Sequence, residues 1–463
     1  MLKLLLSAPK RSGALLLVLV LIAVAVFAFI ERQRAVEASR IAAARSLALH
    51  GANLRTLDWS MALTLGAAAV KIHADDETRT AFIDTMIAKG GITVASGNAI
   101  SAVALSGDGK TALVSTFGGE VELWSLAGRI FESGIVELST LKGIGGDVRA
   151  LAMTPDGNTA VTGNGASGDG RTIVWDLIDK DHPRKTAEWT ESADFLTSEV
   201  QRVALTPDGK LAVVAREGGT ISVWDLTKKK HPVRLSTLKI QLGDDGEDSV
   251  VSGLAVSANG STLIVAAKAI AVVWDLTDKA HPVQQGTLRG TGSDVRGVAL
   301  SADGRTAVTG GLTGSDGLGA VNVWDLTNRS SPLRLAALPG LMSEAYNVAL
   351  TPDGRRALAG GFGGKTILWN LDDRSHPFEL ATLKGPTRMV EFVALNADGT
   401  RLISSTPTTL YSWNIPEIGK DPLREACAQS LIGEVDKQSW ERTSDGEPWP
   451  DYLDDHPEFN PCE

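Results

Sequence analysis

The sequence predicts an all-β body, a seven-bladed β-propeller of four-stranded antiparallel blades over residues 91–416, preceded by one transmembrane helix and a short helical stalk. Three observations lead there. A tryptophan recurs seven times at near-constant spacing, a turn ending in glycine precedes each one in phase, and one uncharged apolar run lies near the N-terminus.

The apolar run, residues 13–30 (GALLLVLVLIAVAVFAFI), carries no charge or proline. As a helix it is about 27 Å long at ~1.5 Å per residue, enough for a thin or locally adapted bilayer. A cleaved signal peptide is the rival, but its apolar core would be too long, and the small-residue site Ala23-Val24-Ala25 lies inside the run rather than after it. A retained anchor follows a short segment, 1–12. Lys3, Lys10 and Arg11 precede the span while Arg32, Arg34, Arg40 and Arg45 follow it, so the positive-inside rule does not choose an orientation.

Residues 31–90 are rich in Ala, Leu, Arg and Glu, with helical rather than alternating periodicity. They read as a stalk: a continuation of the first helix to about His50, a turn at Gly51 and Asn53, then helices over about 58–72 and 75–88 closed by Gly90 and Gly91. Trp59 and Met61 read as stalk packing.

From Gly91 the texture becomes short alternating strands between Gly, Pro, Asp and Asn. Trp124, Trp175, Trp224, Trp274, Trp324, Trp369 and Trp413 stand 51, 49, 50, 50, 45 and 44 residues apart, each followed by Ser-Leu, Asp-Leu, Asn-Leu or Asn-Ile. Upstream of each stands a strand with its turn: VALSGDG from Val103, LAMTPDG from Leu151, VALTPDG from Val203, LAVSANG from Leu254, VALSADG from Val298, VALTPDG from Val348 and VALNADG from Val393. Asp-Gly and Asn-Gly tolerate the positive φ that tight hairpins require. The apolar residues before each turn form an inner strand, those after it a second, the Trp strand a third, and segments such as RLSTLK and FELATLK a fourth. The last Trp strand has no fourth strand after it, so Ile92-Thr93-Val94-Ala95 is expected to pair there and close the ring.

These two motifs, in phase over residues 91–416, resemble the WD-repeat family, whose blades surround a channel. The family's Gly-His before the inner strand is replaced here by Gly143-Ile144, Gly290-Thr291, Gly340-Leu341 and Gly385-Pro386. A buried polar chain through that His is therefore not expected. The units average about 48 residues against the family's ~40–45, with extra length in the loops after Trp-Asp-Leu and in the glycine-rich insertions at 163–170 and 310–319. The string WDLTDKAHPV resembles the repeats of bacterial, actinomycete-type membrane-anchored WD-repeat proteins. Those carry a helical stub and a Cys–Trp–Cys tail, which Cys427, Trp440 and Cys462 match.

Charge separates the tail from the body. Residues 417–463 hold 13 acids and 4 bases, a net of −9 out of the chain's −10. The remaining body is near neutral with no basic patch, which excludes nucleic acid as the main partner. The only cysteines, Cys427 and Cys462, lie in this acidic tail without zinc-ligand spacing; they read either as free thiols or as a disulfide. A disulfide would favour an extracytoplasmic propeller on a single-pass cell-membrane protein. Trp440 would then pack beside the bridged loop and hold the tail against the propeller.

Catalytic and metal chemistry find little footing. His182, His231, His281 and His376 recur one per blade before a proline, so they spread around the rim instead of converging on an ion. The turn aspartates stand singly, and Asp451, Asp454, Asp455 and Glu458 read as a solvated acidic segment. No nucleophile elbow or phosphate loop is present, so no catalytic residue, metal or cofactor is assigned. A propeller hydrolase or dehydrogenase working in the channel is the enzymatic alternative, and a TolB-like periplasmic propeller a third. The resemblance implies a non-catalytic scaffold for protein–protein interaction or ligand sensing, with a protein partner and no small-molecule substrate. In that family partners dock on the face bearing the loops into the innermost strands. The residues in those slots are Arg149, Arg296 and Tyr346 before the inner strand, and Phe117, Arg216, Lys268 and Phe362 after the second, types enriched at interface hot spots.

Overall fold

The computed structural model describes residues 10–54, 59–88, 92–95, 98–127, 135–165, 170–191, 199–240, 250–289, 294–312, 319–341, 344–384 and 389–415, and in the tail 423, 427, 435–436 and 458–462. The chain forms two compact units: Met1–Thr85 with Lys420–Glu463, and Met86–Gly419.

In the first unit, helix α1 (Lys10–Leu54) runs beside α2 (Trp59–Ile72), with α3 (Asp76–Ala88) following. Small side chains let α1 and α2 approach closely: Ala44, Leu47, Ala48 and Leu54 pack on Ala62, Leu65, Ala68 and Ala69. Gly51, expected to mark a turn, lies inside α1 instead. A Cβ there would sit 2.8 Å from the Ala62 carbonyl oxygen, so this glycine serves a helix crossing rather than a chain reversal. Asp75 caps α3: its Oδ1 accepts from Thr78 N at 2.8 Å and its own N donates back to Thr78 Oγ1 at 3.1 Å. In the tail, Cys427 and Cys462 are disulfide-bonded, their Cα atoms 5.5 Å apart. A short ladder, Val435–Asp436 with Glu458–Phe459, lies within the bridged loop and touches α2. Trp440, Asp451, Asp454, Asp455, Gly90 and Gly91 lie outside the described residues.

The transmembrane helix expected over residues 13–30 is not found as a span: among the described residues no helix is long and apolar enough to cross a membrane. Described side chains of that run begin at Leu21.

The second unit is the seven-bladed propeller. Each blade is a four-stranded antiparallel sheet with strands a to d in chain order, as in blade 1: Ile100–Leu105, Thr111–Thr116, Val121–Ser125 and Val136–Leu141. The other a strands are Val148–Met153, Val200–Leu205, Val251–Val256, Asp294–Leu300, Ala345–Leu350 and Phe392–Leu395. Each touches the a strands of both neighbouring blades, and blade 7 touches blade 1, so the seven ring a central channel. Blade 7 takes its d strand from the start of the domain, as expected: Ile92 lies opposite Ser412 and Ala95 opposite Thr409. No blade is left with an unpaired third strand.

The a–b turns follow one rule. Glycines 109, 157, 209, 260, 304, 354 and 399 all have φ between +66° and +72°, the left-handed region the Asp-Gly signature calls for. The preceding Asp or Asn holds the loop. Asp208 Oδ1, for example, accepts from Thr206 Oγ1 at 2.7 Å and from Lys210 N at 3.1 Å. In blade 7 Asn396 replaces the hydroxyl residue and takes the Arg401 N–H at 2.9 Å.

The repeated tryptophans pack between blades. Trp175 joins Leu113, Leu123 and Leu141 of blade 1, and Trp369 is wholly buried with Val308 and Val323 of blade 5. With no His in the network, local groups satisfy the indole N–H: Thr162 Oγ1 for Trp175, Thr309 Oγ1 for Trp324, Ser404 Oγ for Trp413 and the Pro339 carbonyl for Trp369. Trp274, like Trp124, is less enclosed. It is half-buried, and its buried Nε1 finds no acceptor among the described residues.

Candidate interaction surface

Strand a begins, and strand b ends, on the same face of the disc, here termed the mouth face. Every a strand of blades 1–6 carries a register shift near its start, at the second residue or, in blade 5, the third, placing Ser101, Arg149, Gln201, Ser252, Arg296 and Tyr346 at equivalent bulges. A bulge re-aims its side chain out of the ladder. Here it reaches the next blade. Ser101 Oγ donates to the Val148 carbonyl and Ser252 Oγ to the Val295 carbonyl. Arg149 pairs with Glu199 of blade 3 at 2.6 Å, and Arg296 with Glu344 of blade 6 at 2.7 Å and with its own blade's Asp294 at 2.8 Å.

Two pairs of the sequence-selected residues meet. The Arg149 guanidinium lies 5.9 Å from the Phe117 ring centroid, and that of Arg296 lies 5.6 Å from the Tyr346 ring centroid, both cation–π contacts. Burial and the Glu344 carboxylate beside it raise the Tyr346 phenol above its ordinary value. Phe117 and Phe362 remain 44% and 50% exposed, and the Phe362 N–H donates to the Glu344 carbonyl at 3.1 Å. Lys268 is exposed in a two-residue b–c hairpin loop with φ +48°, and its carbonyl accepts the Val295 N–H at 2.7 Å.

Arg216 is different. It is buried, donating to the Gly170 carbonyl at 2.7 Å and pairing with Glu191 at 3.5 Å. Glu191 Oε1 also accepts from Ser222 Oγ at 2.7 Å and Trp224 Nε1 at 3.0 Å, while the Trp189 ring packs on Trp224 at a tilt, centroids 4.6 Å apart. The expectation of a surface role for Arg216 is corrected by this cluster, which turns the side chain inward.

Two sets of residues were missed in the sequence. Acids two residues before the bulge (Asp147, Glu199, Asp294 and Glu344) recur in four blades, a periodicity visible once the bulge is known. On the opposite face, Lys180, Lys229, Lys279, Arg329 and Arg374 each stand five residues after their tryptophan. Lys229 donates to Thr159 Oγ1 of blade 2 at 2.6 Å, and Arg329 pairs with Asp275 of blade 4 at 3.4 Å, so these two tie a blade to its predecessor, while the Lys180 ammonium donates to the Gly157 carbonyl of its own blade. The histidines two positions further on sit in exposed turns beside their own aspartates, His281 Nδ1 at 2.9 Å from Asp278 and His376 Nδ1 at 3.0 Å from Asp373. Among the described residues no three His, Cys, Asp or Glu gather as a metal site.

The family model described as "WD domain, G-beta repeat" matches residues 136–176, 191–225 and 282–325. The first and third matches begin at the d strand of one blade and end at the Trp-Asp of the next, so the sequence repeat is offset from the structural blade by one strand. The chain is also similar to Protein groucho of Drosophila melanogaster, 30% identical over 135 residues, which are 29% of this chain and 17% of that protein. The family model's matches fall on blades 1–3 and on blades 4 and 5 of the seven-bladed propeller, whose repeats and turn chemistry are similar to those of WD-repeat proteins.

Proposed function

We propose that this protein is a non-catalytic, membrane-tethered scaffold whose propeller docks a protein partner on its mouth face. The observation that carries the reading is the pairing there of arginines with aromatic rings beside exposed Phe117 and Phe362. Aromatic and arginine side chains held rigid by packing supply contact area at little ordering cost. The test is capture of partners from host membranes by the full chain. A Phe117→Ala/Phe362→Ala variant is expected to lose what the wild type retains, while Ile178→Ser, at an exposed position on the opposite face, keeps it. Equal capture by all three would refute docking at the mouth.

The tether is α1. Leu21, Ile22, Val24, Val26, Phe27, Phe29 and Ile30 are all exposed, a run too apolar and too continuous around the helix for water. The helix backbone continues unbroken through residues 13–30. The Cys427–Cys462 disulfide supports an extracytoplasmic propeller. Alkaline carbonate is expected to leave the protein in the membrane pellet, with external protease reaching the propeller in whole cells. Release by carbonate sinks the tether, and protection of the propeller sinks the orientation.

A further inference from the structure

Arg202 occupies a position that the other six blades fill with Ala102, Ala150, Gly253, Gly297, Asn347 and Phe392. It immediately follows the blade 3 bulge. Its Nε donates to the Ser252 carbonyl at 2.8 Å and one terminal nitrogen donates to the Gln201 carbonyl at 2.6 Å. Two carbonyl dipoles do not neutralise a guanidinium, and among the described residues no carboxylate lies within ion-pair distance of it. The charged neighbour is Arg149, whose own carboxylate, Glu199, is already engaged at 2.6 Å. Burial and this like charge both push the Arg202 guanidinium below its ordinary value.

The a strand of blade 3 is flanked by its own b strand and by the a strands of blades 2 and 4. Its remaining open side is the channel, and the Arg202 side chain is only partly buried beside it, its second terminal nitrogen making no hydrogen bond among the described residues. A partly desolvated cation without a counter-charge is costly, and one of seven equivalent positions bears that cost. A guanidinium fork matches an oxyanion in shape as well as charge.

We propose that the channel mouth between blades 3 and 4 is an oxyanion-binding site. Arg202, with Arg149 beside it, takes the carboxylate or phosphate group of an acidic peptide side chain. This deepens the docking reading by naming the chemistry of the partner segment. The site is tested without any partner, by titrating the full chain in detergent with inorganic phosphate against chloride at matched ionic strength. Phosphate is expected to raise the propeller's unfolding midpoint saturably, with one site per chain by calorimetric titration. Arg202→Met is expected to weaken binding at least tenfold, and Arg202→Lys to retain part of it. Absence of a saturable effect on the wild type, which needs no variant to fold, overturns the site. So does an undiminished effect in a folded Arg202→Met. Peptides bearing Glu or phosphoserine, measured against their Gln and Ser counterparts, then decide the source. Preference for the anionic peptides supports the proposal, and phosphate binding without that preference overturns its peptide part while leaving partner capture to stand or fall separately.

Discussion

The backbone N–H of Ala397 in blade 7 donates to the Gly107 carbonyl in blade 1 at 2.9 Å. The same bond joins Gly107 to Pro155, Ala258 to Ala302 and Ala302 to Pro352, always between the residues just before the turn Asp or Asn. The remaining three junctions would need Pro155, Pro207 or Pro352 as donor, and proline has no N–H. The ring on this face is thus hydrogen-bonded wherever the sequence permits it.

Closure at the rim depends on residues 92–95, which pair with Thr409–Ser412. Deleting them is expected to cost about 2–4 kcal/mol, from roughly 1 kcal/mol per lost hydrogen bond. Thermal unfolding of the full chain checks this. An unchanged propeller midpoint would mean that the last blade does not need its borrowed strand.

Trp369 and Trp274 occupy equivalent positions with different surroundings. Trp369 is wholly buried and its Nε1 donates to the Pro339 carbonyl at 3.1 Å. Replacement of Trp369 by Ala is expected to cost about 3–5 kcal/mol. Trp274 has a buried Nε1 without an acceptor among the described residues, so Trp274→Phe removes an unsatisfied donor. Chemical denaturation should rank Trp274→Phe as clearly milder than Trp369→Phe; the opposite ranking defeats this account.

How much of this was legible in the sequence depends on how local each feature is. The Asp-Gly turns and the Trp strands are written within a few residues, and the closing strand follows from a blade that lacks its fourth strand. The orientation of a side chain relative to the next blade is not local. Arg149 and Arg216 fill comparable loop slots, yet Glu199 keeps the first at the mouth while Glu191 draws the second inside. Gly51 failed as a turn signal because its reason, the nearby Ala62 carbonyl, lies on another helix. Arg202 was passed over since one basic residue in an apolar strand carries meaning only beside the small residues of its six counterparts.

Acid should loosen the opposite face. Asp225, Asp275 and Asp325 are held below the ordinary carboxylate value, first by the side-chain hydrogen bond from Thr227, Thr277 or Thr327, against the opposing effect of burial and with help from the backbone N–H of the same threonine. A folded pKa below the unfolded one gives stability that is present above the unfolded value, about 3.9, and is lost as pH falls through the folded value. The midpoint should therefore hold near neutrality and decline below about pH 4. Thr277→Val removes one of these bonds, so its curve should converge on the wild type as pH falls. Curves that stay parallel would rule these aspartates out.

The disulfide lies in the unit formed by Met1–Thr85 and Lys420–Glu463, not in the propeller. Its cysteines are 35 positions apart. A loop of that length is expected to contribute about 4 kcal/mol by restricting the unfolded chain. Reduction should therefore act on one unit. In calorimetry of the full chain in detergent, reductant is expected to lower the transition that includes α1 and α2 and leave the propeller's transition in place. Cys427→Ser/Cys462→Ser should reproduce the reduced profile without reductant, which separates loss of the bond from other effects of the reagent. The physical reason is that the bridged loop closes over Val435–Asp436 and Glu458–Phe459, the ladder that touches α2. Without the bridge, that ladder must bring its two short strands together against the entropy of the open loop. A propeller transition that falls in step with the other would show that the bond stabilises the whole chain, and would reject the assignment of the tail to the helical unit.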